Sequence, residues 1–347
     1  MSYAEIELRT QFHALKSTTS HILERRAELA PVLDGIESLC VLGCGSSYSV
    51  AKSSARQFAQ RTGIATHALA AGDLLVNFDA YGKILSHTAI LLLSRSGSTS
   101  ELLAAARRCR QRFPETVIIS ICAVEDAPVA ALADVNIEIP WAFDKSVCQT
   151  RTVSNLYAAA LLLAGLKAGD ESLVADLDGM TAAADDFCAS VEQDIDELAA
   201  ADWTSAVVLA DSGMAGLAEE GALAFKEICR TPSNFYNVLD VRHGPTVMID
   251  RHTLVLAIVS RGDRGLQADL LQDLRGRSEH LVAYTCGEPI DVPGVSEVRL
   301  PVTTHDDVSA IFVLYCIQLL CLRRALRRGL DPDQPEGLAA WIELKTA

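Results

Sequence analysis

The sequence predicts an α/β protein of two similar lobes, each a parallel sheet covered by helices on both faces. Three observations point there. Continuous apolar runs recur along the chain, helical stretches alternate with them, and the layout of residues 30–168 returns over 200–328. A repeated layout with little identity fits an internal duplication. The length of 347 residues suits two domains.

Each element follows in order. Residues 1–29 place apolar positions at helical spacing and predict one leading amphipathic helix. Leu39-Cys40-Val41-Leu42 reads as a strand that ends in Gly43-Cys44-Gly45-Ser46-Ser47 and a helix from Tyr48 to Arg61. Ala89–Leu93 repeats the unit, running into Ser94-Arg95-Ser96-Gly97-Ser98-Thr99 and a helix over Glu101–Arg112. Val117–Ile121 and Val135–Ile139 are further strands, and a long helix spans Ser146–Lys167. The acidic helical stretch 169–200 has no strand signal and reads as a connector. The second lobe, 201–330, has strands at Ala206–Ala210, Leu254–Val259, Leu281–Tyr284 and Val298–Leu300. Its helices are predicted over Gly216–Arg230 and Val308–Arg328, and residues 331–347 form a tail.

Composition narrows the function. Apolar residues make up 50% of the chain, enough for a large core. Thirty basic against 45 acidic residues give a formal charge of −15 with no basic run, so neither nucleic acid nor an anionic membrane is expected as partner. Ten cysteines stand singly, with no C-x-x-C pair, which fits a reducing cytoplasm. The opening Met1–Glu7 lacks the apolar core of a signal peptide, and Leu156–Leu166, taken as the longest candidate span, is too short for a bilayer. These features predict a cytoplasmic protein. No histidine-rich spacing suggests a metal.

Two consecutive strand ends in the first lobe finish in Gly/Ser/Thr clusters that open helices. Ligands of parallel sheets collect at such carboxyl ends. A helix start offers unbonded N–H groups and partial positive charge, so it can hold a phosphate without lysine. The hydroxyls of Ser46, Ser47, Ser94, Ser96 and Thr99 would add donors. Neither cluster has the Walker A pattern, and Gly43-x-Gly45 is followed by Tyr48 where a dinucleotide fingerprint needs glycine. The competing structural reading is that these hydroxyls merely cap helices. A third cluster, Ser146-Val147-Cys148-Gln149-Thr150-Arg151-Thr152, with Asp144 upstream, would open the long helix and offer donors to sugar hydroxyls. In the second lobe, Glu227 in Lys226-Glu227 and His243 in Arg242-His243-Gly244-Pro245 are the candidate acid–base pair, since a buried carboxylate beside an imidazole can move protons near neutral pH.

Together these stretches, with Glu220-Gly221-Ala222-Leu223-Ala224-Phe225-Lys226-Glu227, resemble the sugar isomerase (SIS) family, the fold of the isomerase half of glucosamine-6-phosphate synthase, from about residue 35 to the C-terminus. The resemblance implies two SIS subdomains, each a five-stranded parallel sheet in doubly wound, flavodoxin-like order, in a homodimer that shares its active sites. It implies that Ser94, Ser96, Thr99 and the backbone of Arg95 cradle the phosphate. Cys44, Gly45, Ser46 and Ser47 would line the sugar site, and Val147, Gln149 and Ala339 would contact the substrate. Glu227 would move the proton between C1 and C2, and His243 would help open the ring from the partner subunit.

The departures from the synthase matter. There is no room for a glutaminase domain, so glutamine-dependent synthesis is not expected. Ala340 stands where the synthase carries its Schiff-base lysine, with Lys345 five residues on, Ala224 replaces a second lysine, and Gln149 replaces a serine. Stand-alone hexosamine-6-phosphate deaminases, isomerases and deglycases are the nearer models. The sequence thus points to a cofactor-independent enzyme of an amino-sugar or ketosamine 6-phosphate. The alternatives are a fructosamine-6-phosphate deglycase and a non-catalytic phosphosugar sensor.

Overall fold

The computed structural model describes residues 1–344. The chain divides into two compact units: Arg9–Asp178 with the segment that starts at Ala339, and Met1–Leu8 with Gly179–Leu338. The expected single N-terminal helix is three: α1 (Tyr3–Arg9), α2 (Gln11–Glu24) and α3 (Arg26–Asp34). Its breaks fall at Thr10 and Arg25, whose ψ values near zero stop the regular helix. The first break lies where the chain passes from one unit to the other. In the second unit, the Tyr3 and Ala4 amides donate to the Asp333 carboxylate at 2.9 and 2.8 Å and hold α1.

The first unit continues through β1 (Ser38–Gly43), α4 (Ser46–Thr62), β2 (Ala65–Ala70), α5 (Ala71–Val76), α6 (Gly82–Leu85), β3 (Ala89–Ser94) and α7 (Ser100–Arg112). It closes with β4 (Ile118–Cys122), β5 (Val135–Glu138), α8 (Arg151–Ala168) and α9 (Glu171–Gly179). Its sheet is all parallel, in the order β2-β1-β3-β4-β5. Every residue of β3 is buried, as a central strand covered on both faces requires. Helix α8 packs against α2 and α4, and 14 of its 18 residues are buried.

The second unit has α10 (Ala184–Ala200), β6 (Ser205–Leu209), α11 (Ala215–Glu227), β7 (Ser233–Tyr236), β8 (Thr253–Ile258), α12 (Arg264–Arg275), β9 (His280–Cys286), β10 (Ser296–Leu300) and α13 (Asp306–Arg327). Its order, β10-β9-β8-β6-β7, is the same topology read from the other edge. Both sheets are therefore five-stranded and doubly wound, as expected. The expected connector is not one piece: α9 falls almost wholly in the first unit, and α10 packs against α13 in the second.

Helix α13 corrects the reading of the longest apolar span. An 18-residue window of it reaches a mean hydropathy of 1.6, long and apolar enough to cross a membrane, yet 89% of that window is buried. It packs against α10, α11, β9 and β10, as the core helix of this unit.

Candidate functional site

In the first unit, β1 and β3 lie side by side and their carboxyl ends carry the two Gly/Ser/Thr loops. Gly43 ends β1 with the start of α4 pressed against it: a Cβ there would sit 2.4 Å from the Ser47 carbonyl. Cys44 is half-buried, Ser46 and Ser47 are buried, and helix α4 starts at Ser46. Burial and the nearby Glu101 carboxylate push the Cys44 thiol up to about 12.

The second loop is held from both sides. Ser94 pairs with Cys122 at the sheet edge, the Arg95 carbonyl accepts Ala123 N–H at 3.2 Å, and the Gly97 carbonyl accepts Val129 N–H at 3.0 Å. Gly97 has φ +63°, and a Cβ there would meet Ala127 Cβ at 2.5 Å and Cys122 Sγ at 2.7 Å. Inside the loop, Ser94 Oγ accepts Gly97 N–H at 2.9 Å and Ser96 Oγ accepts Ser98 N–H at 3.2 Å. Both hydroxyls act as acceptors here, which leaves their O–H groups as donors. The N–H groups of Ser96 and Thr99 have no partner among the described residues.

The helix starts bear on the choice between capping and ligand binding. Neither Gly45 at α4 nor Thr99 at α7 makes a side-chain cap hydrogen bond. Elsewhere carboxylates cap helices: Asp263 accepts Leu266 N–H at 3.0 Å at the start of α12, and Asp170 accepts Leu173 N–H at 3.1 Å at the start of α9. The Thr99 hydroxyl is thus not spent as the cap of α7.

The third cluster differs from expectation. Ser146–Thr150 is a loop, and α8 begins only at Arg151. The buried Asp144 carboxylate accepts the N–H groups of Thr150 and Thr152, each at 2.8 Å, so those amides are already occupied. Val147 and Gln149 are half-buried, and Gln149 Oε1 has no hydrogen-bond partner among the described residues. Arg95 joins this loop to the first: Nη1 donates to the Ser146 and Val147 carbonyls at 2.8 and 2.9 Å, and Nη2 donates to the Ala340 carbonyl. The C-terminal segment also reaches the start of α7, where Ser100 Oγ donates to the Ile342 carbonyl at 2.9 Å and accepts Leu344 N–H at 2.7 Å. Ala339 is exposed. Lys345 lies outside the described residues.

In the second unit, Glu227 is the last residue of α11 and half-buried. It lines a cavity of about 320 Å³ with Leu223, Lys226, Arg230 and Pro335–Leu338. Arg230 closes one side, donating to the Glu336 carbonyl at 2.7 Å and pairing with its carboxylate at 3.2 Å. Beyond α11 the chain is fixed by Arg328, whose Nη1 donates to the Cys229 carbonyl at 2.9 Å and Thr231 Oγ1 at 3.0 Å. Hydrogen bonding with Cys321 and Thr231 and the Arg328 and Arg324 charges outweigh burial and lower the Cys229 thiol to about 7. His243 lies apart. It is exposed, between the short turns Asp240–Arg242 and Pro245–Met248, and is not among the residues lining the Glu227 cavity.

Residues 33–164 match the family described as SIS domain. These residues form an SIS domain. The two sheets, each five-stranded, parallel and flanked by helices, match the fold of SIS neighbours across nearly the whole chain. The tagatose-6-phosphate ketose/aldose isomerase of Escherichia coli superposes with a TM-score of 0.86 at 24% identity, covering 100% of this chain and 97% of that one. The glucosamine-6-phosphate deaminase of Thermotoga maritima gives 0.79 at 25% identity, covering 99% and 100%. Among curated proteins, the isomerizing glutamine–fructose-6-phosphate aminotransferase of Yersinia pseudotuberculosis is 25% identical over 365 residues, 99% of this chain and 59% of its own length. The chain spans 52–59% of the length of these curated relatives. Both loops that begin at β1 and β3, and the Asp144–Arg95 assembly, fall within the SIS domain.

Sequence reasoning named the loop residues but missed what organises them. The sequence shows Asp144 only as an acidic neighbour of the third cluster and does not display the contacts of the Arg95 side chain, of Ser100 or of Glu101. The one available signal was a buried-type acid placed six and eight residues before two threonines at a helix start.

Proposed function

We propose that this protein is a cofactor-independent enzyme that acts on an amino-sugar or ketosamine 6-phosphate by proton transfer between C1 and C2. The observation that carries the reading is the Ser94–Thr99 loop of the SIS domain. It combines hydroxyls that keep their O–H donors, two N–H groups without partners among the described residues, and a helix start with no side-chain cap. Such a loop suits a dianionic phosphate in a protein of net charge −15, because amide dipoles and hydroxyls supply the attraction locally.

In this reading Ser94, Ser96, Thr99 and the Arg95 backbone hold the phosphate, while Cys44, Gly45, Ser46 and Ser47 line the sugar site. Val147, Gln149 and Ala339 contact the rest of the substrate. His243 assists ring opening, contributed by the second subunit of a homodimer. Its exposure in the single chain supports that role. Glu227 carries the proton between C1 and C2 through an enolamine-like intermediate, since a carbonyl or imine acidifies the adjacent C–H. The outcome is aldose–ketose isomerisation or, once water hydrolyses the C2 imine so formed to a carbonyl, release of ammonia, as in glucosamine-6-phosphate deamination.

The decisive experiment is Glu227→Gln. Ammonia release and ketose formation from glucosamine 6-phosphate should vanish, with calorimetric affinity for the same sugar close to wild type. Undiminished turnover in the variant would remove Glu227 as the proton carrier. Tight binding without turnover in the wild-type protein, across hexosamine 6-phosphates and fructosamine 6-phosphates, would favour a sensor instead.

A further inference from the structure

We infer that Arg95 is a specificity-determining positioning residue, which sets the span between the phosphate loop and the Ser146–Gln149 loop and so selects hexose-length phosphates. The inference rests on the phosphate reading above. It goes beyond that reading by giving a role to a side chain that does not itself bind the ligand.

Arg95 sits inside the phosphate loop, between Ser94 and Ser96, and is 4% exposed. Its guanidinium donates to carbonyls on two other segments, Ser146 and Val147 on one and Ala340 on the other. Each of the segments it joins is rigid by other means. The phosphate loop is pinned by Ala123, Val129 and the crowded Gly97, the Ser146 loop by Asp144, and the C-terminal segment by Ser100. Three stiff pieces joined by one planar fork have a fixed spacing. A guanidinium can reach several carbonyl oxygens at set angles, whereas an ammonium is a single point on a flexible stem. The distance from the phosphate end to Val147 and Gln149 is therefore a property of the Arg95 side chain.

The test compares wild type, Arg95→Gln and Arg95→Lys by calorimetry with inorganic phosphate, ribose 5-phosphate and fructose 6-phosphate, with thermal melts to verify folding. Inorganic phosphate should lose markedly less affinity in either variant than fructose 6-phosphate does, because it does not span the two loops. The preference for fructose 6-phosphate over ribose 5-phosphate should fall about tenfold or more in both variants, in keeping with loss of hydrogen bonds to a charged group. Lysine should not restore it. Where Arg95→Gln fails to fold, Arg95→Lys carries the comparison. An unchanged preference, full rescue by lysine, or equal weakening of phosphate and both sugars overturns the inference while leaving the phosphate reading in place. A wild-type protein that binds none of the three anions overturns the phosphate reading and this inference with it.

Discussion

The Asp144 carboxylate accepts the Thr150 backbone N–H at 2.8 Å, and the same oxygen takes Thr152 N–H at 2.8 Å. One buried acid thereby stands in for the missing cap of α8, whose N-cap residue Thr150 makes no side-chain cap bond. Asp144→Ala should strand two amides and cost about 2–4 kcal/mol of unfolding free energy. Denaturant titration measures this, and a loss below about 0.5 kcal/mol would show that the carboxylate does not hold the helix start.

Gly43 and Gly97 mark the two tightest places of the site. At Gly43 a methyl group would collide with the backbone of Ser47, and at Gly97 with Ala127 and Cys122, on top of a φ of +63°. Alanine at either position should destabilise the protein by about 2 kcal/mol or more and weaken phosphate binding, because the loops must move to make room. Variants as stable as wild type with undiminished phosphate affinity would mean the loops are not held by these approaches.

A shared site makes a sharp prediction for mixed subunits. Glu227→Gln and His243→Ala homodimers should each be inactive. Random exchange of subunits should restore about a quarter of wild-type activity, since half the dimers then carry one intact site. Activity that stays at background after exchange, verified by native mass spectrometry, argues that both residues act from one chain.

Cys44 lies in the proposed sugar site yet should be a poor nucleophile. With its thiol pushed up to about 12 by burial and by Glu101, the thiolate fraction at pH 8 is on the order of 10⁻⁴. Iodoacetamide labelling of the native protein, followed by peptide mass spectrometry, should find Cys44 modified far more slowly than free glutathione. Glu101→Gln should speed it, because removing the carboxylate lowers the thiol's pKa. Labelling of wild-type Cys44 at the glutathione rate contradicts this account.

What the residues declared depended on burial. Strands β1, β3, β4 and β5, and β6, β8, β9 and β10, are legible as apolar runs, within a residue or so at each end for most of them. The two strands without such a run, β2 and β7, are edge strands. Ala65–Ala70 is interrupted by Thr66 and His67 and otherwise mostly alanine, and Ser233–Tyr236 opens on Ser233 and Asn234, so neither presents a branched apolar run. The Ser94–Thr99 loop, proposed to hold phosphate, is legible because a Gly/Ser/Thr cluster directly ends an apolar strand run and opens a helix. The Asp144 and Arg95 bonds were not, since they join positions 6 to 245 residues apart through backbone groups that a sequence does not display. Glu227 and His243 read as an acid–base pair that the resemblance divides between two subunits, and nothing in their spacing displays that His243 is exposed while Glu227 lines a cavity.

The assignment of the chain ends has a practical edge. Neither unit is a contiguous stretch: the first takes the segment from Ala339, and the second takes Met1–Leu8. Cutting the gene between codons 178 and 179 would therefore deliver two incomplete pieces. The half bearing the Ser94–Thr99 loop would lose the segment of chain that Arg95 and Ser100 grasp. Anyone wishing to isolate that half would have to splice the final residues back on behind Asp178, a rearranged gene rather than a shortened one.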